Sequence, residues 1–265
     1  MLEKAEGNCT DKDMPPADIS NTTVAPSLTP STIPKPRSFI LVPLYIYPAP
    51  GAWDPLFEAL ESYPMKQFRV VVNPHNGPGP QPMDTNYAAA LKQLSSHENC
   101  EILGYVHVSW GRRNDREIQS EVQIYRMWAD LASDSVTIKG IFFDEWPSDI
   151  SLIPRMRRLV SHVAENISDG CVITNPGTIV DPKWHNIGDY TVIFENTEST
   201  WHSVSKHIME MDDDELKKVA VVMHSGSGGG FGLEMPTALA GVFWTSSTNY
   251  HEWCPSWSRF ISKIE

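Results

Sequence analysis

From residue 38 onward, short apolar runs rich in β-branched residues alternate with longer stretches that carry apolar residues at helical spacing. Eight runs read as strands: residues 38–46 (SFILVPLYI), 68–73 (FRVVVN), 101–108 (EILGYVHV), 138–144 (IKGIFFD), 171–175 (CVITN), 190–195 (YTVIFE), 218–224 (KVAVVMH) and 240–246 (AGVFWTS). Helices are predicted between most of them. The first, over 54–62, opens with Asp54 as a cap and Pro55 at the first helical position. Others are expected over 86–96, 114–131, 151–166 and 256–263, with a short acidic start at 212–216 suited to the positive end of a helix dipole. The segment between the fifth and sixth runs carries little helix signal and is expected to be irregular.

Strands alternating with helices argue for a parallel sheet with crossover helices. Eight such strands in one domain point to an α/β fold, a single closed (β/α)8 TIM-type barrel over residues 38–265. A doubly wound open sheet is the alternative. No strand is followed by G-x-G-x-x-G, which weighs against a dinucleotide fold. Residues 15–36 are dominated by Pro, Ser and Thr and cannot build a core. Residues 1–37 are therefore expected to form a disordered stalk of the kind that carries O-linked sugars.

Barrel enzymes place their active sites at the C-terminal ends of the strands. Here those ends offer Tyr45, Asn73, His107, Asp144 with Glu145, Asn175, Glu195, His224 and then Thr245 or Ser246. A polar ring behind strongly apolar runs is what a catalytic barrel needs. In GIFFDEWP (residues 140–147), two aromatics precede the acids and Trp146 follows them. Carboxylates against such neighbours must be paired or must shift their pKa. One that is raised can donate a proton near neutral pH, and one that stays ionised can attack carbon. Glycoside hydrolysis needs that division between two carboxylates. Asp144 and Glu195 come from next-but-one strands and can face one pocket. By strand alternation Asp144 and Glu145 point to opposite faces unless the strand has ended, so only one of the two is expected to be a primary catalyst. The competing reading of an Asp-Glu pair is helix capping or a surface ion pair.

His107 and His224 can hydrogen-bond a sugar or tune a carboxylate from their strand ends. A metal site of His107, His224 and Asp144 is geometrically open, but there is no H-E-x-x-H, and neither a metal nor a cofactor is expected. The glycine-rich residues 226–232 lack the Lys-Ser/Thr of a phosphate loop and read as a loop or lid. Ser225 stands where a G-x-S-x-G elbow needs glycine, so a serine hydrolase has no support.

Composition refines this picture. A formal charge of −12 repels phosphate backbones, so nucleic acid is not an expected partner. No apolar run is long enough to span a bilayer. The cysteines, Cys9, Cys100, Cys171 and Cys254, contain no C-x-x-C pair, and their spacing dictates no disulfide. N-x-[ST] acceptors occur at Asn8, Asn21 and Asn166. Together with the stalk they suggest a secreted or surface protein, tethered through an N-terminal anchor absent from this chain.

The stretches VPLYIYPAPGAWDPL (42–56), VVVNPHNGPGP (70–80), GYVHVSWG (104–111), GIFFDEWP (140–147), TNPGT (174–178) and VIFEN (192–196) together resemble the spherulin-4-like proteins. This is spherulation-specific family 4, classed as glycoside hydrolase family 135. The resemblance runs from about Phe39 to the C-terminus and leaves the stalk outside. It implies a (β/α)8 barrel that hydrolyses galactosaminogalactan as a retaining endo-α-1,4-N-acetylgalactosaminidase. It implies Asp144 as nucleophile, Glu195 as acid/base and Glu145 in support. Tyr45, Asn73, His107 and Asn175, with His224 and Trp146 beside them, are expected to line the sugar groove. The tail SSTNYHEWCPSW (246–257) departs from the family pattern, so one end of the groove is expected to differ. A monomer acting on polysaccharide is expected. The alternative is a non-catalytic cell-wall or spore-coat protein that binds glycan by aromatic stacking.

Overall fold

The computed structural model describes residues 38–131, 136–227 and 231–264. The stalk, Cys9, Asn8 and Asn21 lie outside the described residues. Eight strands run in parallel: β1 (Phe39–Leu44), β2 (Phe68–Val72), β3 (Cys100–His107), β4 (Ile138–Asp144), β5 (Cys171–Thr174), β6 (Tyr190–Thr197), β7 (Val219–His224) and β8 (Gly241–Trp244). They pair in chain order, and β8 closes on β1 through Phe39 opposite Gly241. The fold is a single closed barrel of the TIM type. Strand runs such as FILVPL are hydrophobic at every position because both faces are covered, one by the barrel interior and one by helices.

The helices are α1 (Asp54–Ser62), α2 (Thr85–Leu94), α3 (Asp115–Leu131), α4 (Ile153–Asn166), α5 (Glu198–Met209), α6 (Asp213–Leu216) and α7 (Trp257–Lys263). Asp84 caps α2 by accepting from the amides of Asn86 and Tyr87, which starts that helix one residue earlier than expected. The expected helix over 151–166 begins as a 3-10 turn, Ile150–Leu152, before Pro154 sets the α-helical turn. Between β5 and β6 only the 3-10 turn Pro182–Asn186 forms. Helix α5 had no counterpart among the expected elements. It is rich in Ser, Thr and His, poor helix formers, and is held by the Thr197 cap and by burial of Trp201 and Ile208. Gly104 of β3 makes room for α3, since a Cβ there would lie 2.5 Å from the ring of Tyr125.

Two irregularities position the site. Against β3, strand β4 carries one extra residue, so that Ile102 faces Ile138 but Leu103 faces Gly140. Against β7, strand β6 does the same, with Val192 opposite Ala220 but Phe194 opposite Val221. Side chains alternate along a strand, so one inserted residue turns everything downstream to the other face. Both insertions fall in the strands that end in the candidate acids. At the opposite end of the barrel, the Arg69 guanidinium stacks between Phe39 and Tyr190, 4.2 and 4.5 Å from their ring centroids, and bonds Glu101 at 2.7 Å. That end is filled, while at the C-terminal end Asp144, Glu145 and Glu195 are half-buried.

Candidate active site

Asp144 is the last residue of β4 and Glu195 lies near the end of β6. Asn175, one residue past β5, stands between them. Its Nδ2 donates to Asp144 Oδ1 at 2.8 Å and to Glu195 Oε2 at 2.5 Å. Two oxygens bonded to one nitrogen cannot be farther apart than those distances laid end to end, 5.3 Å. The amide is buried, and its Oδ1 finds no hydrogen-bond partner among the described residues. Its orientation is therefore set by the two acids it serves. Both backbone groups of Asn175 are also tied, its N–H to Phe143 O and its carbonyl to Trp146 N.

Tyrosines complete the surround. Tyr105 donates to Asp144 Oδ2 at 2.7 Å, and Tyr250, from the loop after β8, donates to Glu195 Oε1 at 2.8 Å. Tyr45 packs edge-on against both, with centroids 5.6 and 5.7 Å away. Burial and the neighbouring carboxylates push all three hydroxyls far above the ordinary phenol range, so they remain donors.

Burial raises Asp144, while bonds from Tyr105, the Glu145 amide and Asn175 pull it back. Glu195 is raised by burial and then by the charge of Asp144, with only Asn175 and Tyr250 opposing. Asp144 thus has three donors and feels the charge of Glu145 only as its smallest influence, while Glu195 has two donors and feels the charge of Asp144 second only to burial. The arrangement favours the proton on Glu195 and the charge on Asp144, which equips one carboxyl to donate a proton and the other to attack carbon.

These raised carboxyls have a consequence for stability. The folded chain holds the Glu195 proton more firmly than the unfolded chain, so the ionisation penalty is absent below the ordinary carboxylate range and grows as pH rises through it. Glu195→Gln is expected to raise Tm near pH 8 by about 2–4 °C, the shift that roughly 1 kcal/mol gives a domain of this size. The gain should vanish near pH 3. Thermal melts at the two pH values check it, and a variant that loses stability near pH 8 contradicts it.

Glu145 does not simply face away from Asp144, because the strand has ended. It takes φ 52°, a left-handed conformation that costs a non-glycine residue on the order of 1–3 kcal/mol. Its amide donates to Asp144 Oδ1 at 2.8 Å, and its Oε2 lies 3.4 Å from His107 Nδ1. Its carbonyl accepts from the amide of Trp110 at 2.6 Å. The same His107 nitrogen is 3.1 Å from Ser109 Oγ. Glu145 is thus a half-buried carboxylate whose backbone amide holds the carboxyl group of Asp144.

A model of spherulation-specific family 4 matches residues 39–264. The chain belongs to spherulation-specific family 4. Among solved structures it is similar to Sph3 of Aspergillus clavatus, crystallised in complex with GalNAc, with 32% identity and a TM-score of 0.79 over 86% of this chain and 97% of that one. A β-glucuronidase from Ruminococcus gnavus aligns with 86% of this chain and 48% of its own at 9% identity and a TM-score of 0.48. A search of curated proteins gives no match.

The remaining sequence candidates fall into two groups. His224 ends β7, half-buried, with Nδ1 3.0 Å from Ser225 Oγ and its ring edge-on to Tyr250, so it borders the cluster. Burial lowers its pKa. Asn73 has its Oδ1 occupied by the Gly77 amide at 3.0 Å and shapes the loop after β2. Trp146 does not line a sugar groove. It is 1% exposed and packs against Phe143 and Trp184, because the turn at Glu145 directs the next residue into the core. Asn166 closes α4 and donates to His162 O at 2.8 Å. Among the described residues, no three of His, Cys, Asp and Glu are grouped to hold a metal ion.

Tyr105 and Tyr250 escaped the sequence reading. Tyr105 had a signal, since it lies two residues before His107 on β3 and alternation puts both on one face. Tyr250 had none, because it sits in an irregular tail beyond the last strand.

Proposed function

We propose that the chain is an endo-acting glycoside hydrolase that cleaves α-1,4-linked N-acetylgalactosamine-containing polysaccharide, galactosaminogalactan being the expected polymer, with retention of configuration. The observation that carries this reading is the pair of half-buried carboxyls, Asp144 and Glu195, bridged by one buried amide nitrogen at the C-terminal end of the barrel. Retaining glycosidases hold their two carboxyls about 5–5.5 Å apart, inverting ones about 6.5–9.5 Å. The 5.3 Å ceiling on the bridged oxygens favours the close pair. Membership of the family and the GalNAc held by the Aspergillus clavatus relative support the sugar.

In the first step the Glu195 proton passes to the glycosidic oxygen as an Asp144 oxygen attacks C1. The C1–O bond to the leaving chain breaks and a glycosyl ester on Asp144 forms. In the second step Glu195, now a carboxylate, takes a proton from water while that water's oxygen attacks C1 and frees Asp144. Tyr105 and Asn175 steady the nucleophile, and Tyr250 and Asn175 steady the acid. A polymer of this kind is met outside the cell or at its surface, where we place the protein.

The test is incubation with galactosaminogalactan and measurement of new reducing ends. Rising ends with shortening chains are expected. Binding without cleavage would instead make the barrel a glycan-binding scaffold.

A further inference from the structure

Of nine tryptophans in the chain, eight are buried or half-buried, and Trp110 alone is exposed, at 51%. It follows β3 in the 3-10 turn Ser109–Gly111, on the mouth side of the barrel. Its backbone is also unusual. Ser109 and Trp110 both adopt left-handed conformations, φ 49° and 53°, and the Trp110 amide donates to the carbonyl of Glu145, itself at φ 52°. Three non-glycine residues in a disfavoured conformation therefore meet at one hydrogen bond. Strain of this kind persists only where the surroundings hold it, and it concentrates at working sites. The surroundings here are well tied. Val108 N bonds Asp144 O at 3.0 Å, Gly111 N bonds Val108 O at 3.0 Å, and Arg155 reaches the carbonyls of Gly111 and Arg113.

The result is an indole held firmly at the backbone, open to water, and anchored to the residue that follows Asp144. An exposed indole gains nothing for the core. The Arg112 guanidinium lies over the ring, 5.0 Å from its centroid, so the opposite face is the one left for a ligand. A pyranose of galacto configuration presents the C3, C4 and C5 hydrogens on one apolar face, and an exposed indole is a surface that such a face stacks on.

We propose that Trp110 is a sugar-stacking platform, forming a subsite on the β3 side of the carboxyl pair for a neighbouring residue of the same glycan. This rests on the reading of Asp144 and Glu195 as a glycan-cleaving pair, and its test separates the two. KM and kcat are measured on polymer for the wild-type chain, Trp110→Tyr and Trp110→Leu. Leu keeps bulk in the turn without a ring. Trp110→Leu is expected to raise KM about tenfold, the worth of one good stacking contact, and Trp110→Tyr to stay within about threefold. The loss should fall on KM rather than kcat. An unchanged KM in Trp110→Leu overturns the platform. So does a loss confined to kcat, which would mean that Trp110 acts only through the Glu145 backbone. In parallel, polymer binding by Asp144→Asn is compared with Asp144→Asn/Trp110→Leu by retardation in polymer-containing gels. If the wild type fails to cleave but adding Trp110→Leu to Asp144→Asn abolishes retardation, the platform stands and the hydrolase reading falls. Equal retardation of the two proteins overturns the platform.

Discussion

Asp144→Asn is expected to fold as the wild type does and to lose at least ~10^4 of its turnover number, the scale seen when a covalent nucleophile is removed. The side chain keeps its shape and still accepts from Tyr105, the Glu145 amide or Asn175, but it can no longer attack C1. Glu195→Gln should lose about 10^2 to 10^4, the usual worth of a general acid. The two losses differ in kind. A substrate whose leaving group needs no proton, such as an α-GalNAc fluoride, should recover much of the first step in Glu195→Gln and none of it in Asp144→Asn. Steady-state rates on polymer and fluoride check both, with circular dichroism to establish that the barrel is intact. Normal turnover of the Asp144 variant on polymer would remove it from the nucleophile's role.

The second large effect belongs to Asn175. Asn175→Ala removes the one donor shared by both acids, so each loses a bond that lowers its pKa. Both pKa values then rise. The acidic limb of the kcat/KM profile, set by ionisation of Asp144, and the basic limb, set by loss of the Glu195 proton, should both move to higher pH. The rate at the optimum should fall about 10^2 to 10^3, comparable to losing one preorganised donor at a reacting charge. A profile that drops without moving would mean that Asn175 merely packs, and one that moves down in pH would contradict the bonding described.

Much of this was legible in the chain. Uninterrupted apolar runs are what strands covered on both faces look like, and the eight of them gave the barrel and the acids at its mouth. The resemblance to spherulation-specific family 4, read from motifs around Asp144 and Glu195, holds across residues 39–264. The insertion at β6 was not legible, because an extra Ile193 leaves no mark on a hydrophobic run, and at β4 the exposed Lys139 marks a break in the run without giving its register against β3. Asn175 was visible as a polar strand end. Its position beneath both carboxyls, rather than along a groove wall, depends on three strands meeting. Trp146 misled because proximity in sequence to two acids says nothing of direction once a left-handed residue intervenes. Trp110 was passed over for the converse reason, since its exposure comes from backbone strain that sequence does not print. Helix α5 was missed because its weak propensities hid the spacing of Trp201 and Ile208.

The close carboxyl pair makes one demand that no other feature of the barrel makes. Proton NMR of the wild-type enzyme during the first minutes of hydrolysis reads the anomeric configuration of the newly formed reducing end before mutarotation scrambles it. The account predicts that the α-linked substrate yields the α-anomer first, through an ester on Asp144. First appearance of the β-anomer would mean direct attack by water across a wider gap, and would contradict the pairing of Asp144 and Glu195 as nucleophile and acid.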